Sequence, residues 1–267
     1  MKRILITILG LSFAFASCEK SSDEPMVEWT FEAPQTKASL SGSGAFSWAP
    51  GDEIAVWNGT AGAFVTFATQ NGSGRFSAQA PASAHFTAAA YYPASIATGT
   101  EAVSLPTSYT LAELSGGKGM PMFAAVEEGS NILNFKHLGA LLTVKVLNVP
   151  PGNVQIVLSS SSVSLSGGFT VTPSGGDRVI SAQTGSATVA LSLSLSDTQD
   201  VEFTVPVPVG TYALTCTVPE RSPFYTDSVT FQRGHLYTLS TIDVENGGEF
   251  AQTCEVYELV DDNNNWE

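Results

Sequence analysis

The chain has 267 residues, which is enough for two ordinary domains or for one large domain with its own core. Its formal net charge is −14 at pH 7, and a surface of that sign repels phosphate backbones, which argues against nucleic-acid binding. Hydrophobic residues make up 43% of the chain and charged residues 13%, while serine, threonine and glycine fill most polar positions. This balance favours extended β-structure, in which alternate residues face water.

The N-terminus has the pattern of an export signal. Lys2 and Arg3 form a basic start, and a continuous apolar run follows from residue 4 to residue 16. That run is too short to span a bilayer comfortably, and it has the length of a signal-peptide core. It ends at Phe15-Ala16-Ser17-Cys18, which resembles a bacterial lipobox. We therefore predict a signal peptide over residues 1–17 and a lipid on Cys18, with an ordinary secretory signal and an incidental cysteine as the alternative.

A first strand follows the predicted lipid site. Residues 18–26 are a polar tether with little to bury. After the tether, apolar and polar residues alternate strictly, as in a half-buried strand: Val27, Trp29, Phe31 and Ala33 share one parity.

The clearest strand of the first half lies between Asn134 and Val146. Five apolar residues share one parity there: Leu138, Ala140, Leu142, Val144 and Val146. Gly139 is a position where a bulge could switch the face of the strand, and Pro150-Pro151-Gly152 ends the run. We predict that this strand closes a first β-domain over residues 27–149, and that the earlier stretch from Thr98 to Gly119 is irregular.

The second half consists of further alternating runs, which predict a domain over residues 153–244. In residues 201–209, Pro206 and Pro208 remove two backbone donors on one side, so this run should be an edge strand with one partner. Cys216 shares the parity of Tyr212 and Leu214, which predicts that its thiol points inward.

The strands together define a fold class. Many short strands with turn signals and almost no helical pattern predict an all-β protein with two β-sandwich domains in tandem. A tail over residues 245–267 follows, with one alternating piece at Phe250–Val260.

Several short motifs occur in a fixed order along the chain. They are Thr36-Lys37, Phe46-Ser47-Trp48 with Gly51-Asp52-Glu53-Ile54, Tyr92-Pro93, Phe135-Lys136-His137 with Ala140-Leu141-Leu142, Ser166-Gly167-Gly168-Phe169, and Arg233-Gly234-His235-Leu236-Tyr237. Behind a lipobox, this ordered set resembles the fimbrillin family, the fimbrial-subunit-like lipoproteins of oral and gut Gram-negative anaerobes. The resemblance implies two transthyretin-like β-sandwich domains, no catalytic chemistry, and a place as shaft, anchor or tip of a fimbria.

The sequence departs from that family in maturation. Polymerising members are usually cut after an arginine that follows the first strand, but here no arginine lies between Arg3 and Arg75. Lys37 is therefore the candidate cleavage site.

The resemblance also suggests a route of assembly. In donor-strand exchange, an extended segment of one subunit completes the sheet of another. Val27–Ala33 is the strand that would leave, and Phe250–Val260 is the segment that could be donated to other fimbrial subunits. A disulfide between Cys216 and Cys254 would pin the donated segment, and two free thiols are the alternative.

No enzyme motif is present in the sequence, which lacks a Gly-x-Ser-x-Gly elbow, a His-Glu-x-x-His pair and a nucleotide-binding loop. We therefore predict no catalytic residue, no cofactor and no metal site. His137 and His235 are expected to have hydrogen-bonded structural roles. Asp227-Ser228-Val229 resembles a three-residue O-glycosylation site, although an unmodified Ser228 is the simpler expectation.

Two functions are consistent with the sequence. The first is a surface lipoprotein of the outer membrane that acts as a fimbrial subunit or a fimbria-associated adhesin, with a host or bacterial surface ligand. The alternative is a monomeric glycan-binding lipoprotein of a nutrient-uptake system, in which Trp29, Trp48 and Trp57 would form a sugar platform. Core packing is the default for tryptophans at alternating positions.

Replacing Cys18 with serine tests the lipid prediction. Without the thiol there is no acyl acceptor, so we expect Cys18→Ser to accumulate as an unprocessed or released protein that no longer partitions with membranes. Metabolic labelling with a fatty acid and fractionation of the cells measure this. A Cys18→Ser protein that still incorporates label and fractionates normally would show that the lipobox prediction is wrong.

Overall fold

The structure is a computed structural model that describes residues 24–34, 47–115, 119–174, 177–219, 221, 223–239, 241–245 and 255–258. These residues are mostly in β-strands, so the predicted all-β class is confirmed. The strands up to residue 126 are β1 (Met26–Glu32), β2 (Glu53–Asn58), β3 (Ala63–Ala68), β4 (Arg75–Pro81), β5 (Phe86–Tyr92), β6 (Ala97–Gly99), β7 (Ala102–Leu105), β8 (Ser108–Thr110) and β9 (Met122–Val126). A 3₁₀ helix (Ala94–Ile96) follows β5, and a short helix α1 (Leu111–Ser115) follows β8.

The later part of the chain is also built from strands. They are β10 (Lys136–His137), β11 (Ala140–Val149), β12 (Gly152–Ser159), β13 (Ser166–Ser174), β14 (Asp177–Ser186), β15 (Thr188–Leu195), β16 (Gln199–Val207), β17 (Gly210–Tyr212), β18 (Thr215–Thr217), β19 (Phe224–Tyr225), β20 (Val229–Phe231), β21 (His235–Thr238), β22 (Ile242–Asp243) and β23 (Glu255–Glu258). Among the described residues, no helix has the length and apolar character needed to cross a bilayer.

The first sheet has the strand order β1-β4-β3-β2-β5-β9-β10. Its core is rich in aromatic side chains because alternate residues of these strands point to the same face. Phe31, Phe67, Phe76 and Tyr92 are buried in one cluster, and Trp48 closes that cluster with a hydrogen bond of 3.2 Å from its Nε1 to the Ala33 carbonyl oxygen.

The chain crosses from this sheet to the next at Leu138 and Gly139. β10 pairs with β9 in the first sheet, whereas β11 pairs antiparallel with β16 and parallel with β21 and β22. β11 is therefore central to a different sheet and does not extend the sheet of the strands before it. The predicted change at Gly139 is a crossing between sheets. A Cβ at Gly139 would lie 2.5 Å from the Val207 carbonyl oxygen, so the close approach of β11 to β16 requires glycine here.

Two sheets enclose the core of the second half. One has the order β16-β11-β21-β23, with β22 also paired to β11, and the other has the order β19-β18-β12-β15-β8. Leu142, Val144 and Val146 from β11 pack in this core with Ile156 from β12 and Leu191 from β15. β16 has a single partner among the described strands, so the edge strand predicted from Pro206 and Pro208 is confirmed.

The described part of the stretch from Thr98 to Gly119 is not irregular, contrary to the sequence prediction. β7 pairs antiparallel with β13, and β8 pairs in parallel with β15, so this stretch extends two sheets of the second half. Val103 and Tyr109 are buried by these pairings. Each strand is only three or four residues long, and its pairing partners lie about 60 to 80 positions away in the sequence. The residues of the strand itself therefore show no pattern from which it could be predicted. The domain bounds 27–149 and 153–244 stay a prediction.

Candidate functional site

The early strand β1 lies at the edge of the first sheet. It pairs with β4 along its length, from Met26 opposite Pro81 to Glu32 opposite Arg75. The hydrogen bond of 2.7 Å from the Ala33 amide to the Gly74 carbonyl shows that odd-numbered residues direct their backbone groups toward β4. Even-numbered residues point theirs away, and apart from one bridge between Glu32 and Ile132 this outer side pairs with no described strand.

The inner face of β1 nevertheless carries core side chains. Phe31 is 4% exposed and packs edge-to-face on Phe67 and Phe86, with ring centroids 5.1 and 5.6 Å apart. Trp29 packs on Phe86 at 5.1 Å, and its Nε1 donates to the Pro81 carbonyl at 3.2 Å. Each large apolar side chain that is fully buried contributes about 1.5–3 kcal/mol. Loss of β1 would therefore open an apolar groove over Phe67 and Phe86.

The late strand β23 occupies the edge of another sheet. Its backbone pairs antiparallel with β21, from His235 opposite Glu258 to Thr238 opposite Glu255. Since β21 also pairs with β11, β23 lies at the opposite end of that sheet from β16. β23 falls within the segment Phe250–Val260 that the sequence predicts as a donor strand, and the rest of that segment lies outside the described residues.

Of the residues predicted to be modified or to form a disulfide, Cys216 lies in the described part of the chain. Cys216 is fully buried opposite Leu158 and is a free thiol within the described part of the chain, so its inward orientation is confirmed. Burial raises the pKa of this thiol to about 12, which keeps it protonated and unreactive. Cys18, Lys37 and Cys254 lie outside the described residues, so lipidation, cleavage and the disulfide stay predictions.

A largely buried carboxylate joins three sheets, and no sequence motif indicated it. Asp177, at the start of β14, accepts a hydrogen bond of 2.8 Å from Lys136 Nζ of β10 and another from Arg233 in the turn before β21. The side chains of Asp177 and Arg233 are 12% and 14% exposed, so this ion pair is largely shielded from water. We call these three residues the Asp177 junction. It holds the β13–β14 hairpin against the point where the chain crosses between sheets.

His137 lies beside this junction and is buried. Burial, and after it the positive charge of Arg233, lower the pKa of His137 to about 4, so the ring is neutral at physiological pH. Its Nδ1 has no hydrogen-bond partner among the described residues, which differs from the hydrogen-bonded role that we expected.

His235 Nδ1 lies 3.0 Å from the Arg233 carbonyl oxygen, in accord with its expected role. No group of three metal-ligating side chains occurs in the described ranges.

An open cleft of about 370 Å³ borders the junction and is lined by Phe123, Lys136, Asp177 and Arg178, among others. Its cations already have partners, because the Arg178 guanidinium lies 5.5 Å from the Phe123 ring centre and 3.4 Å from a Glu101 carboxylate oxygen. No nucleophile stands beside a base in this lining. The cleft is therefore a seam between packed sheets.

The tryptophans do not form a sugar platform. Trp48 is buried, and Trp29 and Trp57 are half-buried with their rings edge-on against Phe86 and Phe64. Ser228 is exposed in the segment before β20, where a modification would be accessible, and an unmodified Ser228 stays the prediction.

Comparisons with known proteins concern the fold. No protein-family model and no curated protein matches the chain. Among solved structures, it is similar to a putative cell adhesion protein from Bacteroides ovatus, with a TM-score of 0.53 and 15% identity over 89% of this chain and 98% of that one. It is also similar to a putative cell adhesion protein from Bacteroides uniformis (TM-score 0.47, 19% identity, 87% and 98% covered). A further similar structure is the tip fimbrial protein Mfa3 from Porphyromonas gingivalis (TM-score 0.36, 12% identity, 87% and 98% covered).

The first of these three superpositions shows a shared fold, and at such low identity the likeness extends to the fold alone. That shared fold agrees with the all-β class that the ordered motifs predict.

Replacing Asp177 with asparagine tests the junction. The change keeps the size of the side chain but removes the negative charge that Lys136 and the largely shielded Arg233 contact here, so we expect a loss of about 2–4 kcal/mol in the free energy of unfolding. Equilibrium denaturation with guanidinium chloride measures this as a lower midpoint.

Glu101→Gln is the matched control, because the Glu101 carboxylate is 68% exposed and its pair with Arg178 is screened by water. We expect this control to cost less than about 1 kcal/mol. Equal midpoints for Asp177→Asn and the wild type would show that the junction does not hold the sheets together.

Proposed function

We propose that this chain is a non-catalytic surface lipoprotein of the outer membrane that serves as a fimbrial subunit or a fimbria-associated adhesin. The observation that carries the proposal is the position of β1, which lies at a sheet edge and yet fills the core with Phe31 and Trp29. Such a strand can be replaced by a strand of another molecule with the same alternation. The fold shared with a putative cell adhesion protein supports a role at the cell surface.

Replacement of β1 would follow the rules of strand addition. The backbone groups of β4 that now bind β1 would bind the incoming strand, and alternate side chains of that strand would fill the groove over Phe67 and Phe86. The donor in this proposal is the Phe250–Val260 segment of a second subunit. Its described part, β23, already pairs as a strand with β21 at a sheet edge.

Anchoring and release of β1 are coupled by their order along the chain. A lipid on Cys18 holds the protein by two or three acyl chains such as palmitate, each methylene contributing about 0.8 kcal/mol. β1 begins eight residues later, at Met26, and Lys37 follows it. One cut after Lys37 would remove the lipid and β1 together. The uncut chain would therefore stay on the membrane as an anchor, and the cut chain would be free to polymerise.

The tryptophan platform expected for the alternative function does not occur among the described residues. A monomeric glycan-binding protein of a nutrient-uptake system was expected to use exposed tryptophans, but Trp48 is buried and the rings of Trp29 and Trp57 pack against phenylalanines. Catalysis likewise has no support from the described residues, where the one buried thiol is held protonated.

The state of the N-terminus in the cell separates the two forms of the proposal. We expect the protein in filaments sheared from cells to begin at Ala38 and to carry free thiols, because loss of β1 opens the groove and a disulfide would hold the donor segment. Mass spectrometry of the N-terminus, with non-reducing and reducing gels, measures both. A chain that begins at lipidated Cys18, with Cys216 bonded to Cys254, would identify an anchor or accessory protein.

Lys37→Gln and Arg75→Gln provide matched variants for this test. Lys37→Gln removes the cleavage site and should keep the chain in the membrane fraction, whereas Arg75→Gln removes a basic residue after β1 and should leave maturation unchanged. A soluble intracellular chain that retains Met1 would contradict the proposed function.

A further inference from the structure

The outer face of the five-stranded sheet β19-β18-β12-β15-β8 is made almost entirely of uncharged polar side chains. On β12, Val154, Ile156 and Leu158 point into the core, so the residues between them face outward. The same alternation holds for β15, whose buried residues are Val189, Leu191 and Leu193. We call the outward positions of these five strands the hydroxyl face.

Cross-strand pairing arranges this face in rungs. Thr188 lies opposite Ser159, Ser159 opposite Thr215, and Thr215 opposite Tyr225, which gives one rung across four strands. Gln155 lies opposite Ser192 in a parallel rung. The outward positions are occupied by serine, threonine, asparagine, glutamine and tyrosine, with one valine and one alanine. None of these positions carries a charge, on a chain with a net charge of −14.

The hydroxyl face presents both paired and open polar groups, and the Thr188 hydroxyl pairs with that of Ser186 at 2.8 Å. The hydroxyls of Ser108 and Ser192 pair with each other at 2.9 Å. The side chains of Gln155 and Asn153 make no hydrogen bond to the described residues, and both are exposed. Tyr225, at the end of its rung, is 65% exposed, so its ring lies open to solvent beside the hydroxyl of Thr215.

We propose that the hydroxyl face binds neutral saccharides. Short hydroxyl and amide side chains can donate to and accept from sugar hydroxyls, and an exposed tyrosine ring offers an apolar surface with a polar edge for the carbon face of a sugar ring. The absence of charge on the face, together with the net negative charge of the chain, disfavours sialylated or uronic-acid glycans.

The area of the hydroxyl face also indicates what kind of ligand it can bind. β12 and β15 each hold four outward positions and the three shorter strands hold five in all, so at about 4.8 by 6.6 Å for each position the face covers about 400 Å². A stable protein dimer buries about 800 Å² on each partner, so the hydroxyl face is too small to hold a second copy by itself. A short stretch of oligosaccharide fits this area. Single-site binding would be weak, and many copies along a filament would raise the avidity.

This inference rests on the proposed adhesin function, because it supplies the class of surface ligand. Its test uses the purified mature chain on an array of immobilised neutral and acidic glycans, with an N-acetylglucosamine hexamer and a hyaluronan hexasaccharide as soluble competitors. We expect binding to neutral glycans that the neutral hexamer competes for and the acidic hexasaccharide does not. Tyr225→Ala should weaken this binding about tenfold through loss of ring stacking.

Ser194→Glu and Ser181→Glu form a matched pair of charge insertions. Ser194 is exposed on the hydroxyl face, whereas Ser181 is exposed on β14. We expect Ser194→Glu to lower binding severalfold, because it places a carboxylate among sugar hydroxyls, and Ser181→Glu to leave it unchanged. Both sites are exposed, so both proteins should fold.

Three results would overturn the inference: no glycan bound, acidic glycans alone bound, or neutral binding that Tyr225→Ala and Ser194→Glu leave unchanged. Because the array uses purified protein, its outcome is independent of filament formation. Binding on the array without filaments on cells would refute the fimbrial role and leave the hydroxyl face in place.

Discussion

The fold depends on one crossing of the chain, at Leu138 and Gly139. β10 and β11 are consecutive in sequence but belong to different sheets, so the two halves of the molecule share a continuous backbone at their contact. Gly139 permits the crossing because a side chain there would meet the Val207 carbonyl. The Asp177 junction then fixes the β13–β14 hairpin beside it. The two strands proposed to take part in exchange, β1 and β23, lie at sheet edges, away from this crossing. The proposed assembly would therefore change an edge and leave the crossing and the Asp177 junction intact.

Local sequence patterns predicted those strands whose own residues show a clear alternation or a proline signal. The alternation from Val27 to Ala33 identified β1, two prolines identified β16 as an edge, and the parity of Cys216 placed its thiol in the core. Parity describes one strand and its two faces, however, and it does not specify the partner. The alternation therefore identified β11 but not its partners β16, β21 and β22. β7 and β8 were missed because their stability comes from distant strands.

The Asp177 junction shows the same limit for a site. An aspartate after a pair of glycines is typical of an exposed turn, and only the packed structure brings Lys136 and Arg233 to it from positions 41 and 56 residues away. The hydroxyl face could not be predicted from the sequence either, because its rungs can be identified only when the register of the five strands is known. The predictions for Cys18 and Lys37 are of another kind, because they rest on short sequence motifs and on no packed structure.

The central claim is that this chain acts in surface filaments. Immunogold electron microscopy of intact cells that express it, beside cells that lack it, tests that claim most directly. The account predicts gold particles along filaments or at their base or tip, and none on cells without the chain. Gold spread evenly over the envelope, with no association with filaments, would contradict it.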